Sequence, residues 1–303
     1  MNSKVFWPVL LSGALWSGLL FAEAKVEFHR TLSLAPSDHM ILDVDVPRGD
    51  VTISYAHAGE ISVSATAEVP EGAIPTDFFD RGLTVEREGE HIKVQFKSNG
   101  ATLHESPRIA YTINVPNWIE VNSSVGTGKQ SISGVMGPVR AVSGSGDVDV
   151  LYITNALEAK TGHGDITVIR VGTAAKVETG SGSIDMKDIG PESSATVKKG
   201  PGKVVVDGIS GSFTGSTDSG DLRVAGGVYD NWDLKSGSGS IYIETGEESS
   251  FEIDASTRSG RLSVENEDMK VPQDPNTRSC HQKVNGGGKL VRARSTSGTI
   301  FIK

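Results

Sequence analysis

The stretch SGSGDVDV (143–150) is followed 18 residues on by TGHGDITV (161–168), and 18 further on by TGSGSIDM (179–186). KGPGKVVV (199–206), TDSGDLRV (217–224), SGSGSIYI (236–243), TRSGRLSV (257–264) and STSGTIFI (295–302) continue the series. The second glycine of each unit falls at 146, 164, 182, 202, 220, 239, 260 and 298, giving spacings of 18, 18, 20, 18, 19, 21 and 38. The last spacing is two periods, or one period plus an excursion. Gly128 lies another 18 residues upstream in a degenerate copy, SSVGTGKQSI. A fixed period in this range is the signature of a solenoid.

Counted from the key glycine, aliphatic residues recur two and four places later, as in Val148/Val150, Ile166/Val168, Ile184/Met186 and Ile241/Ile243. They also recur seven and five places earlier, as in Val139/Ala141, Leu157/Ala159 and Trp232/Leu234, with Ala195/Val197 read the same way before Gly202. One polar residue separates the members of each pair, which is the period of a half-buried strand. Each unit therefore reads as strand, glycine turn, strand, then a connection. Glycine supplies a reversal with positive φ, and the small hydroxyl residues beside it hydrogen-bond local backbone. A lone coil buries too few side chains to offset the entropy of ordering itself. Stacked coils escape that limit, because each pairs its backbone with the next. The expected fold is all-β: a parallel β-solenoid, β-roll or β-helix-like, with coils of about 18–20 residues and two sheets face to face. Arg140, Glu158 and Lys176 on one outward row, and Lys160, Glu178 and Lys198 on another, alternate in sign as neighbouring strands prefer.

The whole chain has 303 residues and a formal charge of −9, a balance that argues against nucleic acid as a partner. Residues 1–24 read as a signal peptide, with Lys4, an apolar stretch from Val5 to Phe21, and Ala22-Glu23-Ala24 as the cleavage site. Two internal glycines, two serines and that site favour removal over an uncleaved anchor. The mature chain is expected to begin near Lys25, outside the cytoplasm, with no transmembrane segment. Residues 25–120 alternate in short, irregular runs and read as the N-terminal cap of the solenoid. Residues 121–303 hold the regular repeats, and 266–288 read as a loop excursion. The chain stops one residue after its last triplet, so that triplet is expected to form a bare parallel edge. Either the excursion folds over this edge, or a partner or second copy covers it.

The unit Ser-Gly-[Asp/Ser]-aliphatic-x-aliphatic, as in 145–150, 163–168 and 219–224, resembles the repeat of DUF4097, a family of exported bacterial proteins provisionally named adhesins. Pro47 to Ile53, the Val115-Pro116 corner, and the closing Gly288-Lys289-Leu290 and Ser297 to Ile300 resemble it too. The resemblance spans roughly 40–303. It implies a β-solenoid at the cell envelope without established catalytic residues.

No residue pattern points to catalysis, a cofactor or a metal. Asp147, Asp165 and Asp221 suggest calcium repeats, but those are nine residues long and Lys203 occupies an equivalent place here. Turn capping is the expected role of these carboxylates. The histidines show no ligand spacing, and His163 replaces a turn serine. Cys280, the single cysteine, adjoins His281 and implies a free thiol or an intermolecular disulfide. Gly144-Ser145-Gly146 opens a strand rather than a helix, so it is no phosphate loop. Trp118 and Trp232 suggest carbohydrate stacking, although Trp232 lies in an inward register. The expected function is a non-enzymatic, exported structural or adhesin-like scaffold, periplasmic or at the cell surface, binding an unknown protein or envelope component. A polysaccharide-active β-helix enzyme would need clustered acids. The outward row Asp149, Thr167, Asp185, Val205, Arg223, Tyr242 holds two well-separated ones. A stress or signalling role in the envelope is the remaining alternative.

Overall fold

The computed structural model describes residues 23–33, 39–56, 59–70, 77–97, 108–198, 200–246, 248–265 and 277–303. Residues 1–22 of the 1–24 leader and 266–276 of the 266–288 excursion lie outside the described residues. The chain forms two sheets of 13 strands each. Most neighbours are parallel and in register, so that Val148 pairs Ile166, Ile166 pairs Ile184, and Ile184 pairs Val204. The aliphatic pairs of each unit point between the sheets: Val150, Val168, Ile184, Leu234 and Ile241 are 0 % exposed. This is the expected β-solenoid.

Three columns running along the stack explain the repeat. In the first, key glycines such as 146, 164, 182, 220, 239, 260 and 298 lie over the carbonyl of the adjacent coil's glycine. A Cβ on Gly164 would sit 2.3 Å from the Gly146 oxygen, and φ at Gly164 is +147°. No L-side chain satisfies both conditions. In the second, a buried hydroxyl three places before the glycine donates to the key carbonyl of the adjacent coil in six units, from Thr161 to Ser295. Thr161 Oγ1 reaches Gly146 O at 2.9 Å, and Thr179 Oγ1 reaches Gly164 O at 3.0 Å. These hydroxyls bond across coils, not only locally as the sequence suggested.

The third column lies six places after the glycine, marked in the sequence only by Gly134 and Gly208. Gly134, Tyr152, Arg170, Asp188 and Gly208 take φ of 73°, 58°, 59°, 54° and 73°. This left-handed residue breaks the alternation after the second strand, so the next residue turns inward again. Val135, Ile153, Val171, Ile189 and Ile209 are buried there as a further aliphatic column inside the connection. Non-glycine residues at this corner cost on the order of 1–2 kcal/mol each.

Two readings of register and order are corrected. Ala195 pairs Val177 rather than Ala175, and Val197 pairs Thr179. The two extra residues of the 20-residue spacing therefore lie in the turn at 198–202, not in the preceding connection. Ser193 takes the inward place of Ala175, where its Oγ accepts the Ala175 N–H at 3.0 Å and donates to Gly190 O at 2.8 Å. Glu178 accordingly faces Thr196 across the ladder, although its carboxylate still pairs with Lys198 Nζ at 2.5 Å.

The second correction concerns the C-terminal end. The last coil, Lys289–Ser295 and Ile300–Ile302, does not sit at the end of the stack. It lies between the Gly239 coil on one side and strands Phe251–Thr257 and Leu262–Val264 on the other. Thr257 Oγ1 donates to Gly298 O at 3.0 Å and Ser295 Oγ to Gly239 O at 3.3 Å, which fixes the order 239, 298, 260 in space. The final triplet has neighbours on both sides, so it is not the bare edge expected. Part of the excursion, Ser279–Val284, runs antiparallel along Phe251–Thr257 and closes one sheet.

The N-terminal end has a similar inversion. Ile41–Arg48 and Asp50–Tyr55 pair directly with Glu120–Thr127 and Gln130–Ser133. The later strands His91–Phe96 and Arg108–Val115 lie outside them. Beyond these the sheets turn antiparallel, through Leu83–Glu88 on one and Glu60–Pro70 with Glu23–Ser33 on the other. A short helix, Phe78–Gly82, sets Phe78 and Phe79 against Phe96, and Phe96 against Tyr111.

A candidate binding face

Strands in register place equivalent outward residues about 4.8 Å apart. On one sheet the row reads Thr52, Ser131, Asp149, Thr167, Asp185, Val205, Arg223, Tyr242, Phe301, Ser263. Its character changes along the stack. The first half is short and polar, with Asp149 held by Lys129 Nζ at 2.6 Å. The second half is cationic and aromatic. Tyr242 and Phe301 stack with centroids 4.7 Å apart and planes 3° from parallel. Arg223 is fixed by Glu244 at 2.6 Å. Between them lies a shallow groove of about 370 Å³ lined by Lys203, Val204, Val205, Asp221, Arg223 and Tyr242. Short Val205 sits beside long Arg223 in this row. It offers two cations, a carboxylate and an aromatic edge to a polar ligand. The row was legible in the sequence up to Tyr242. Phe301 was missed because the last coil was placed one step too far out.

The turn carboxylates are used within the fold. Asp147 Oδ1 accepts the N–H of Asp165 at 2.9 Å, Asp165 Oδ1 that of Ser183 at 2.7 Å, and Asp221 Oδ1 that of Ser240 at 2.9 Å. Each caps an amide of the next coil rather than of its own turn. Asp50 does the same for Lys129, which marks Gly49 as the key glycine of an early coil. Among the described residues, no three His, Cys, Asp or Glu side chains are grouped to hold a metal ion.

His163 lies in the exposed turn, paired by backbone with Ser145 and Ser181. Cys280 is 8 % exposed and points inward opposite Ala255, while His281 turns outward to Glu252 Oε1 at 2.8 Å. Adjacent strand residues face opposite sides, so this thiol and imidazole cannot act as a pair. Burial and then the charge of Asp254 push the Cys280 thiol pKa up, away from the reactive thiolate. Trp232 is 1 % exposed, and its Nε1 donates to Gly211 O at 3.2 Å, as its inward register implied. Trp118 is half-buried.

Beside Cys280 the outer face carries charge. Arg294 grips Asp254 through two nitrogens, Nη1 to Oδ1 at 3.0 Å and Nη2 to Oδ2 at 2.5 Å. That bidentate bond holds the Asp254 carboxyl below its ordinary range against the opposing effect of burial. No helix among the described residues is long and apolar enough to cross a membrane.

Solved structures of similar shape include a provisionally named adhesin from Bacteroides fragilis NCTC 9343. It is 12 % identical, with 91 % of this chain and 97 % of that one covered, at a TM-score of 0.47. A provisionally named lipid-binding protein from Parabacteroides distasonis ATCC 8503 is 14 % identical, covering 92 % and 97 %, at 0.41. A provisionally named cell adhesion protein from Clostridium sporogenes ATCC 15579 is 12 % identical, covering 92 % and 99 %, at 0.30. A comparison with curated proteins found no match. The family model described as Toastrack DUF4097 matches residues 40–303, the glycine-punctuated stack and most of its N-terminal end. This chain belongs to the Toastrack DUF4097 family.

Proposed function

We propose that the chain is an exported, non-enzymatic scaffold of the cell envelope that binds a protein or envelope component through its outer faces. The observation that carries the reading is the unbroken outward row from Thr52 to Ser263, which holds a groove at Val205 beside stacked aromatic rings. A rigid ladder at fixed spacing suits a ligand or partner surface that is itself extended. The scaffold reading also assigns export to residues 1–24. Cleavage after Ala24 would remove the first two residues of strand Glu23–Ser33 and leave the rest of its pairing with Glu60–Pro70.

Crosslinking in intact cells, followed by purification and fractionation, tests the proposal. The expected result is a mature N-terminus near Lys25, recovery outside the cytoplasm, and a specific crosslinked partner that Arg223→Glu and Tyr242→Ala reduce. Recovery from the cytoplasm with an intact leader would contradict it. So would release of reducing ends from a polysaccharide, which would favour the enzyme reading instead.

A further inference from the structure

The groove at Val205 has walls of unequal chemistry, and each narrows what it can hold. Three adjacent coils build it, with Lys203 and Val205 from one, Asp221 and Arg223 from the next, and Tyr242 from the third. Val204 points inward and is 0 % exposed, so the floor on the outer face is the Val205 side chain.

The Tyr242 ring has one face taken and one left. Its centroid lies 4.7 Å from that of Phe301 with planes 3° apart, close to the spacing of about 4.8 Å between neighbouring strands. The two rings are therefore displaced along the stack, with their faces turned up and down the row. Phe301 covers one face of Tyr242, and the other looks toward Arg223 and the groove. Arg223 is drawn off that face, because its Nη2 donates diagonally to Glu244 Oε1 at 2.6 Å.

The polar groups are of both kinds. Asp221 Oδ1 accepts the Ser240 N–H at 2.9 Å, and its second oxygen has no bond among the described residues. Lys203 is engaged through its backbone, whose N–H meets Ser183 Oγ at 3.3 Å; among the described residues its ammonium has no partner. Arg223 keeps two nitrogens beyond the one given to Glu244. An anion such as phosphate would therefore meet Asp221 and Glu244 as well as the two cations, with Asp185 one coil away. An aliphatic chain would strip water from Lys203 and Asp221 and return no hydrogen bond. A peptide seeking a sheet edge finds none, since each of these strands is paired on both sides. A neutral sugar meets every wall. Its hydroxyls accept from Lys203 and Arg223 and donate to Asp221, and its C–H face lies on the electron-rich face of Tyr242. A volume of about 370 Å³ is near the small end for ligand sites, which suits one unit of a longer chain.

We propose that this groove binds a neutral saccharide, with one pyranose unit lying over Val205 against the open face of Tyr242 and its hydroxyls held by Asp221, Lys203 and Arg223. Phe301 is a positioning residue that fixes the Tyr242 ring from behind. The assignment rests on the scaffold reading and deepens it by naming the class of envelope component, bound without turnover.

Titration calorimetry and saturation-transfer NMR test it, on protein purified from cells producing the full 303-residue chain. The probes are maltohexaose, cellohexaose and N-acetylchitohexaose, with a hyaluronan hexasaccharide as the acidic comparison. At least one neutral probe is expected to bind with a Kd below about 10 mM, and more tightly than the hyaluronan. Asp221→Asn keeps an oxygen for the Ser240 N–H and turns the second acceptor into a donor. It should weaken binding about tenfold with the melting temperature unchanged. Val205→Tyr, an outward change that a strand tolerates, should fill the groove and abolish binding. Tyr242→Ala should abolish it as well, and Tyr229→Ala, which removes an exposed tyrosine elsewhere, should leave it as in the parent. The proposal is overturned if no neutral probe binds at up to about 10 mM, or if hyaluronan binds more tightly than all three. It is also overturned if either Asp221→Asn or Val205→Tyr binds like the parent; should Val205→Tyr be less stable, Asp221→Asn alone decides. A protein crosslinked through Arg223 and Tyr242 in cells, with no sugar bound, would overturn this assignment and leave the scaffold reading standing. Hydrolysis of a probe bound in the groove would do the reverse.

Discussion

The two ends of the stack solve the same problem with different materials. At the N-terminal end both sheets turn antiparallel, and rings from Phe28, Phe78, Phe79, Phe96 and Tyr111 pack together across them. At the C-terminal end one sheet turns antiparallel through Ser279–Val284, and among the described residues the last strand of the other is the three-residue Leu262–Val264. Leu262 and Val264 are only partly buried, whereas the equivalent Ile300 and Ile302 one coil inward are 0 % and 1 % exposed. The N-terminal end is closed by this cluster of rings. The C-terminal end is held by interleaving: strands 251–264 depend on a coil that the chain supplies only in its last 15 residues. Among the described residues, the outermost strand of the second end is the shorter one.

The largest effect should follow from removing the interleaved coil. Deleting 289–303 is expected to cost on the order of 5 kcal/mol, since both neighbouring interfaces are lost at once. Hydrogen exchange should show strands 251–264 unprotected while strands 139–189 stay protected. Equal loss of protection along the whole stack would break the distinction between the ends. Next in size, Phe79→Ala should cost about 3–5 kcal/mol, and Leu262→Ala about 1 kcal/mol, read as chemical denaturation midpoints. Comparable costs would mean that both ends are packed alike. In the middle, Gly164→Ala should cost about 3 kcal/mol, because the added Cβ meets the Gly146 carbonyl at a positive φ. It serves as the reference against which either end is judged.

The repeat was legible because its causes are local. A glycine that must lie over a carbonyl, and alternation on either side of it, leave marks at fixed offsets such as 146, 164 and 182. The stacking order was not legible, because every coil carries the same marks. In the sequence the Gly260 and Gly298 units are equally good neighbours for Gly239; the strand pairing, with the Thr257 and Ser295 hydrogen bonds, distinguishes them. The slip at Ala195 has the same origin, since two added residues fit the turn as well as the connection. The corner at Tyr152 and Arg170 left a faint trace. Gly134 and Gly208 stand at that offset, but tyrosine and arginine do not announce a left-handed backbone. Of the candidate face, the row from Asp149 to Tyr242 could be written down in advance. The Tyr242–Phe301 stack required the stacking order.

The smallest effect separates the ends by acidity. Asp254 is held low by Arg294, so its contribution is present above the ordinary carboxylate range and lost as pH falls through its own lower value. Below about pH 4, strands 251–264 should lose exchange protection before the N-terminal end does. Arg294→Met should abolish that difference at a cost of under about 1 kcal/mol at neutral pH.

The interleaving itself is tested most directly by disulfide trapping along one outward row. In a Cys280→Ala background, cysteines are placed in pairs at Tyr242, Phe301 and Ser263, and the oxidised chains are mapped by mass spectrometry. Adjacent parallel strands bring Cα atoms within the roughly 4.4–6.8 Å a disulfide requires; strands two spacings apart do not. The account predicts a bond between positions 242 and 301 and none between 242 and 263. A bond between 242 and 263, with 242 and 301 unlinked, would place the coils in chain order and contradict it.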